Sequence, residues 1–375
     1  TAVFVFEKGF WCFAFYNCDK DDSWKMRYRV GIIGCGQIAS TFEEDEWREH
    51  PCTHAGAYKA VKETEIVAAA DINQDRLSTF SKKWGVKSVY EDYNEMLENE
   101  VLDIVSVTAN TPMHCEITIK AAKAGVKAIF CEKPIATCLE EADEMVRVCD
   151  KRNVKIIINH TRRWDSCYQK AKEIVNKGGI GDLTSVTGYF TSGLLIMGTH
   201  LFDLFRFLAG DVECVVAKLE GAEGAEKYKK TDPSGSGFVR FKNGVVGSVI
   251  GSSKKEYLIF EIDLQGTRGR VIVKDNGRTF ELWTPDKRRE HVDFNTPNEL
   301  VLENSPQVER GRKNSLIAAV EDVVRAVEQG KEGLCTGRDG RAALELALAF
   351  HKSSQEGGEK ISLPLNNKKL RVISR

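Results

Sequence analysis

A glycine-rich turn directly after a short apolar run is the feature that most constrains how this chain can fold. Residues 29–33 read RVGII, and residues 34–39 continue as GCGQIA, which fits the pattern G-x-G-x-x-A. Because glycine has no Cβ, such a turn lets the backbone approach a pyrophosphate, and the helix that follows directs its first N–H groups at the phosphates. Taken alone, the pattern fits a turn needed only for packing equally well.

The first half of the chain alternates strands with helices. After the run at 29–33, apolar segments predict strands at 66–71, 101–108, 127–131 and 154–159. Helical patterns lie between these strands at 74–84, around 93–97, and at 113–124 and 138–151. This alternation predicts an α/β Rossmann domain over residues 26–159, with a doubly wound parallel sheet that binds its ligand outside the carboxyl ends of the strands.

The second half, residues 160–375, has longer strands with alternating polarity. The predicted strands lie at 184–190, 212–220, 236–251, 256–264, 269–274 and 278–283. Two Asn-Gly pairs, at 243–244 and 276–277, favour hairpins. This half is therefore predicted to be an α+β domain with a mostly antiparallel sheet. Residues 221–235 and 285–312 are predicted to be polar connections, residues 336–358 a helix, and the sequence ISLPL a terminal strand.

Composition and charge exclude several classes of protein. The chain has 375 residues, which favours about two domains, and its net charge of −1 gives no field to attract nucleic acid or a membrane surface. No apolar run approaches the roughly 18 residues of a membrane helix. Eleven cysteines without a C-x-x-C pair predict reduced thiols in a cytoplasmic protein. Seven histidines without H-E-x-x-H spacing give no indication of a metal site.

Residues 1–25 are interpreted as an extension upstream of the natural start. The segment lacks the basic region and the cleavage site of a signal peptide, and Glu7 and Lys8 interrupt its apolar stretch. Met26 stands immediately before the first predicted Rossmann strand. An N-terminal arm that docks on a partner subunit is the alternative.

An acidic residue, Asp71, closes the second predicted strand. At this position of a dinucleotide fold an acid accepts hydrogen bonds from the adenosine ribose and disfavours a 2′-phosphate, which predicts NAD rather than NADP. Asp71 lies 35 positions after Gly36, against about 20 in the usual pattern, and an insertion at 41–57 accounts for the difference. The alternative role is that of a helix N-cap, which could coexist with ribose binding.

Two further motifs carry groups suited to proton transfer and charge stabilisation. Lys133 follows a buried apolar strand in the sequence CEKP, where burial tunes its pKa; a Glu–Lys surface pair is the alternative. His200 and Asp203 are three residues apart on a predicted helix and share a face. That spacing suits an imidazole oriented by a carboxylate for proton transfer, although a lone histidine is more often structural.

Six motifs in order resemble the Gfo/Idh/MocA family of glucose–fructose oxidoreductase and inositol dehydrogenase-like proteins. They are GCGQIA, AAAD, VTANTPMH, CEKP, NHTRRWD and GTHLFDLFRFLAG, and the resemblance runs from about residue 27 to the end. It implies an N-terminal Rossmann domain and a C-terminal domain with a large open sheet that commonly serves in dimer contacts. It also implies oxidation or reduction of sugars, polyols or small carbonyl compounds with NAD(P).

The resemblance also implies roles for individual residues. It places Lys133 near the nicotinamide and makes His200 the proton-transferring histidine. The substrate residues assigned on this basis are Arg163, Trp164, Tyr189 and Asp203. The cofactor residues are Gly34, Gly36, Gln37, Ile38, Asp71, Thr108, Asn110, His114, Glu132 and Lys133. Many dehydrogenases of the family carry a carboxylate four residues before the histidine, and here that position is Ile196.

The leading hypothesis from the sequence is an NAD-dependent oxidoreductase acting on a sugar, polyol or related small alcohol or carbonyl compound. A glycosidase that uses bound NAD for transient oxidation is one alternative. A non-catalytic NAD-binding regulator is another, which Ile196 favours and which Lys133 and His200 oppose. A cytoplasmic homodimer or homotetramer, assembled through the C-terminal sheet, is expected, with no nucleic-acid or membrane partner.

Overall fold

The computed structural model describes residues 6–7, 10–11, 27–220, 232–253, 256–286, 288, 298–303 and 313–372. Most of residues 1–25 and of the predicted connections 221–235 and 285–312 lie outside the described residues. Two short strands, β1 (Phe6–Glu7) and β2 (Phe10–Trp11), pair antiparallel ahead of the two main sheets.

The first main sheet is parallel and has six strands among the described residues, in the order β5-β4-β3-β6-β7-β8. Its strands are β3 (Tyr28–Ile33), β4 (Thr64–Ala70), β5 (Ser88–Tyr90), β6 (Ile104–Val107), β7 (Ala128–Cys131) and β8 (Lys155–Ile158). Strands β6 and β7 are buried at every position, as expected for central strands covered by helices on both faces. The order confirms the predicted doubly wound sheet, since it reverses beside β3.

The helices of this half connect successive parallel strands. They are α1 (His54–Ala60), α2 (Gln74–Trp84), α3 (Tyr93–Asn99), α4 (His114–Ala124) and α5 (Leu139–Arg152). Helix α2 coincides with the predicted 74–84, because the Asn73 side chain accepts a hydrogen bond from Arg76 N–H at its start and Gly85, at φ +72°, ends it. Helix α1 was not predicted, because the sequence gives 41–57 only as an insertion.

The second main sheet is mixed and has nine strands among the described residues, in the order β16-β15-β14-β13-β9-β12-β11-β10-β17. Within that sheet the described pairs are antiparallel except β9 with β12, which confirms the predicted mostly antiparallel sheet. Its strands are β9 (Leu183–Thr191), β10 (Val212–Leu219), β11 (Gly235–Phe241), β12 (Val246–Ser252), β13 (Phe260–Gly266), β14 (Gly269–Lys274), β15 (Thr279–Pro285), β16 (Leu300–Leu302) and β17 (Ile361–Ser362).

Both Asn-Gly pairs join neighbouring antiparallel strands, as predicted. The pair at 243–244 joins β11 to β12, so the predicted run 236–251 is two strands. The pair at 276–277 joins β14 to β15. Strand β16 lies inside 285–312, which corrects the prediction of a connection throughout that segment; a three-residue strand is too short to leave a periodic signal.

Helices cover one face of the second sheet. They are α6 (Ser166–Asn176), α7 (Thr199–Ala209) and α9 (Gly337–Gln355). Helix α8 (Ser315–Gln329) packs instead against α1 and against β7 and β8 of the first sheet. Helix α7 packs against β9, and α9 packs against β10. The opposite face is open and carries apolar side chains, among them Phe238, which is 69% exposed. No helix in the described part of the chain is long and apolar enough to span a lipid bilayer.

Candidate active site

A cavity of about 900 Å³ lies along the carboxyl ends of β3, β4, β6 and β7. Each strand is followed by a loop that supplies wall residues, and Leu195 and Ile196 from the second half complete the wall. The cavity brings together all ten residues predicted to contact a cofactor, namely Gly34, Gly36, Gln37, Ile38, Asp71, Thr108, Asn110, His114, Glu132 and Lys133. Parallel strands explain the convergence, because their carboxyl ends meet at one edge of the sheet.

The two glycines of the turn have different structural functions. Gly34 has φ +98°, and a Cβ there would lie 2.6 Å from the backbone nitrogen of Ala109, so the turn itself requires glycine. A Cβ on Gly36 would meet nothing within 4 Å, although Gly36 lines the cavity. The space beside Gly36 fits the pyrophosphate of a dinucleotide, which approaches the backbone closely in such turns.

Asp71 is fixed beside this turn by two backbone hydrogen bonds. Cys35 N–H donates to its Oδ2 at 2.7 Å, and Asn73 N–H donates to its Oδ1 at 2.8 Å. The side chain that caps α2 belongs to Asn73, so Asp71 is not the cap that the alternative interpretation required. A carboxylate has about four positions that can accept hydrogen bonds. Two of those on Asp71 are engaged, so two remain for a ligand in the cavity that Asp71 lines.

Glu132 belongs to a buried polar network. Its Oε1 accepts hydrogen bonds from Asn159 Nδ2 at 2.6 Å and from His54 Nε2 at 2.9 Å. Burial favours the neutral acid, but the hydrogen bond and charge of His54, with the charge of Lys133, hold the pKa of Glu132 below its ordinary value. His54 was not predicted, because it enters from α1, whose role the sequence did not reveal.

Lys133 joins the two halves of the protein at the end of the cavity. Its Nζ donates a hydrogen bond to the carbonyl oxygen of Ile196 at 2.9 Å. Burial lowers the pKa of Lys133, and the neighbouring charge of Glu132 opposes that shift. This location supports the functional interpretation of the CEKP motif, since Glu132 is buried and Lys133 is half-buried in the cavity wall.

A π-helical turn, Leu194–Gly198, precedes α7 and carries Ile196 into the cavity wall. The Ile196 side chain is 44% exposed, so it is not part of the core. The backbone N–H groups of Leu195 and Ile196 donate to the carboxylate of Asp232 at 3.0 and 2.9 Å. Burial raises the pKa of Asp232, while these N–H groups and Lys133 oppose the shift. π-turns recur at functional sites.

Asp232 is a residue that the sequence interpretation missed. It lies in the segment 221–235, which was predicted only as a polar connection, and it reaches residues about 36 positions away. No spacing rule connects residues so far apart in sequence. A Cβ on Gly193 would lie 2.0 Å from Asp232 Oδ2, so the glycine there admits the carboxylate.

His200 is buried beside the same turn, but its predicted pairing with Asp203 is wrong. Asp203 Oδ2 accepts from Arg163 Nε at 2.8 Å, because the buried guanidinium requires a carboxylate partner. His200 Nδ1 has no hydrogen-bond partner among the described residues, and its ring stacks edge-to-face on His160 with 5.4 Å between centroids. Burial, followed by the charges of Arg162 and Lys133, lowers the pKa of His200 well below its usual value.

The residues predicted to bind substrate have other contacts. Arg163 also pairs with Asp339 at 3.1 Å, and Trp164 Nε1 donates to Asp322 at 3.1 Å. Tyr189 is 38% exposed on β9, between buried neighbours that face the helices. Within the described residues, this cavity is therefore not lined by any of the four side chains Arg163, Trp164, Tyr189 and Asp203.

A doubly wound sheet with a glycine turn after its first strand and an acid at the end of its second is typical of dinucleotide-binding proteins. The chain belongs to the Gfo/Idh/MocA oxidoreductase family. Residues 28–160 match the family's N-terminal model, described as an oxidoreductase family, NAD-binding Rossmann fold. Residues 172–363 match the model of its C-terminal alpha/beta domain.

Named relatives and solved structures are similar over most of the chain. The myo-inositol 2-dehydrogenase of Thermotoga maritima is 29% identical over 351 residues, which is 88% of this chain and 96% of that protein. A D-apiose dehydrogenase of Paraburkholderia graminis is 29% identical over 51% of this chain and 52% of its own length. A levoglucosan dehydrogenase solved with NADH and L-sorbose has a TM-score of 0.73 at 20% identity, covering 90% of this chain and 99% of that one.

Proposed function

We propose that this protein transfers a hydride between NAD and a sugar, polyol or related small alcohol or carbonyl compound. The observation that carries the proposal is the continuity of the cavity, which runs from the glycine turn and Asp71 to Lys133 and Ile196. A dinucleotide that lies along this cavity would bring its reactive end to the half-buried ammonium of Lys133. The inositol, apiose and levoglucosan dehydrogenases among the relatives support this substrate class.

The residues of the first half bind and orient the cofactor. Gly34 shapes the turn, and Gly36 leaves space for the pyrophosphate. Asp71 accepts hydrogen bonds from the adenosine ribose, and its negative charge disfavours a 2′-phosphate, so NAD is preferred to NADP. The nicotinamide, when bound, supplies the hydride acceptor or donor.

Lys133 and His200 act on the substrate oxygen. The Lys133 ammonium, half-buried and anchored on Ile196, stabilises the negative charge that develops on that oxygen, because a preorganised charge needs no reorganisation during the reaction. Burial and two cationic neighbours keep the His200 imidazole neutral, so a ring nitrogen can accept the hydroxyl proton.

A panel of sugars and polyols, offered with NAD and with NADP, tests the proposal through the absorbance of the reduced nicotinamide. We expect turnover with NAD, and its loss in Lys133→Met, whereas Lys123→Met, which changes an exposed lysine on α4, keeps it. Release of a sugar product without net NADH would identify the glycosidase that uses transient oxidation. Tight NADH binding without turnover on any substrate would identify the non-catalytic regulator.

We further propose that the protein is a cytoplasmic homodimer or homotetramer assembled through the open face of the second sheet. Phe238, Val246 and Ile250 are exposed apolar residues on the neighbouring strands β11 and β12 of that sheet, and apolar patches of this kind mark interfaces. Light scattering should show an oligomer that Phe238→Glu dissociates. The control Trp47→Glu changes a residue that is 95% exposed and lies outside the sheet, and should leave the mass unchanged.

A further inference from the structure

Three side chains with metal-ligand chemistry converge on the segment between the glycine turn and α1. His50 Nδ1 lies 3.1 Å from Glu43 Oε1 and 3.9 Å from Cys52 Sγ. The three ligand atoms all lie within 4.8 Å of one another. This group was not predicted from the sequence, because a glutamate, a histidine and a cysteine at these positions form no H-E-x-x-H motif.

The hydrogen bond on the other side of His50 fixes which ring nitrogen can act as a ligand. His50 Nε2 lies 3.1 Å from the carbonyl oxygen of Asp45, which can only accept, so Nε2 carries the proton. The lone pair of the neutral imidazole is therefore on Nδ1, which faces the Glu43 carboxylate. Two acceptors at this distance require a proton or a cation between them. Metal-bound histidines almost always donate their other N–H to such a carbonyl or carboxylate.

Glu43 is oriented in a similar way. Its Oε2 accepts hydrogen bonds from Thr53 Oγ1 at 2.5 Å and from Cys52 N–H at 3.2 Å, which turns Oε1 towards the imidazole. A Cβ on Gly56 would lie 2.6 Å from Glu43 Oε2, so the absence of a side chain there admits the carboxylate. The neighbours that hold the Glu43 carboxylate bind Oε2 and leave Oε1 available as a metal ligand.

We propose that Glu43 Oε1, His50 Nδ1 and Cys52 Sγ bind one Zn²⁺ ion, with water as the fourth ligand. Zinc bonds of about 2.0–2.3 Å at tetrahedral angles place N···O and N···S ligand pairs about 3.3 and 3.6 Å apart. The observed 3.1 and 3.9 Å differ from these values by a few tenths of an ångström. Nitrogen and sulfur ligands favour zinc over Mg²⁺ and Ca²⁺, which prefer oxygen. On binding, the thiol loses its proton to solvent and becomes a thiolate.

The proposed ion lies beside the cofactor cavity and outside the reaction itself. The Cys52 thiol donates a hydrogen bond to the carbonyl oxygen of Phe42 at 3.0 Å, which ends when the thiol loses its proton to bind metal, and Thr41 and Phe42 line the cavity. The His50 side chain is 39% exposed, which gives an ion from solvent a path to the ligands. The ion would cross-link the loop that follows the glycine turn and would act as a structural metal ion.

Titration of the metal-free, reduced protein with Co²⁺, a spectroscopic substitute for Zn²⁺, tests the proposal. We expect one equivalent to bind and to give a thiolate-to-cobalt charge-transfer band, which equimolar Zn²⁺ removes and excess Mg²⁺ does not. Cys52→Ser should abolish the band. Cys115→Ser, which changes a half-buried thiol elsewhere, should keep it.

The variant His50→Gln tests the site independently of Cys52. The His50 side chain is partly exposed, and its replacement leaves the hydrogen bonds of Glu43 to Cys52 and Thr53 in place, so the fold should be retained. Calorimetry should show Zn²⁺ affinity lowered by at least about ten-fold, the lower limit for loss of an outer-shell partner, with NADH binding and circular dichroism retained. Absence of a charge-transfer band in the wild type would overturn the proposal. So would equal Zn²⁺ affinity in His50→Gln and wild type.

Discussion

Replacing each glycine of the turn by alanine separates the requirements of the fold from those of the cofactor. In Gly34→Ala the residue keeps φ +98°, which costs about 1–3 kcal/mol for a residue other than glycine. The new Cβ would also lie 2.6 Å from Ala109 N and 2.7 Å from the Thr108 carbonyl carbon, both backbone atoms. Overpacking of this kind adds about 1–3 kcal/mol. We therefore expect Gly34→Ala to lower the free energy of unfolding by about 2–6 kcal/mol.

Gly36→Ala should show the opposite behaviour. No atom lies within 4 Å of its ideal Cβ, and Gly36 is not among the glycines with positive φ, so the folded protein accommodates alanine. Its stability should be unchanged or higher by up to about 1 kcal/mol, since alanine restricts the unfolded chain. The methyl group, however, enters the space assigned to the pyrophosphate. A clash worth about 1–3 kcal/mol there weakens NADH binding by about 5- to 140-fold.

Chemical denaturation and NADH fluorescence titration measure the two effects on the same preparations. The expected pattern is a destabilised Gly34→Ala protein and a stable Gly36→Ala protein with weak NADH binding. Wild-type NADH affinity in Gly36→Ala would refute the placement of the pyrophosphate. Wild-type stability in Gly34→Ala would refute the requirement for glycine in the turn.

Three further outcomes are expected. Lys133→Met and His200→Ala should each lower turnover by about 10²-fold or more while NADH affinity is retained. Steady-state kinetics and NADH titration measure the two quantities, and a variant with wild-type turnover would contradict the role of that residue. Asp232→Asn should lower the free energy of unfolding by about 1–3 kcal/mol in urea denaturation, because one oxygen that accepts backbone N–H is lost; an unchanged value contradicts its anchoring role. Burial lowers the pKa of His160 and of His351 to about 4. The contribution of these two neutral histidines to the free energy of unfolding is complete above the unfolded pKa of about 6.5 and declines as the pH falls to about 4, by on the order of 3 kcal/mol each. Denaturation at a series of pH values measures this decline. A free energy of unfolding that does not fall between about pH 6.5 and about pH 4 would contradict their burial as neutral groups.

The first sheet could be predicted from sequence because each of its central strands is a continuous apolar run. Residues 127–131 were predicted as a strand, and β7 occupies Ala128–Cys131 with every residue buried. Strand β5 was missed, since three residues at the sheet edge carry no detectable period. Helix α8 was also missed, although its N-cap, Asn314, accepts hydrogen bonds from Leu316 and Ile317 N–H and would have marked its start.

The cofactor wall could be predicted for a topological reason. Residues that follow parallel strands must gather at one edge of the sheet, and motif order identifies the strands. The substrate end has no such rule. His200 and Asp203 share a helix face, yet the buried Arg163 binds the carboxylate, and helix periodicity cannot report a partner from another element. Asp232 and His54 reach the site through tertiary packing, which local sequence does not encode.

Position 196 carries isoleucine where the family resemblance places a carboxylate. The peptide groups at Ile196 are held on both sides, since the N–H donates to Asp232 and the carbonyl accepts from Lys133. Asp232 thus brings a carboxylate to the turn where the resemblance placed one. Both of its oxygens accept backbone N–H groups, so it anchors the turn. The Ile196 side chain gives the cavity an apolar wall at the position where the resemblance places an acid, so the proposed reaction relies on His200 for proton transfer.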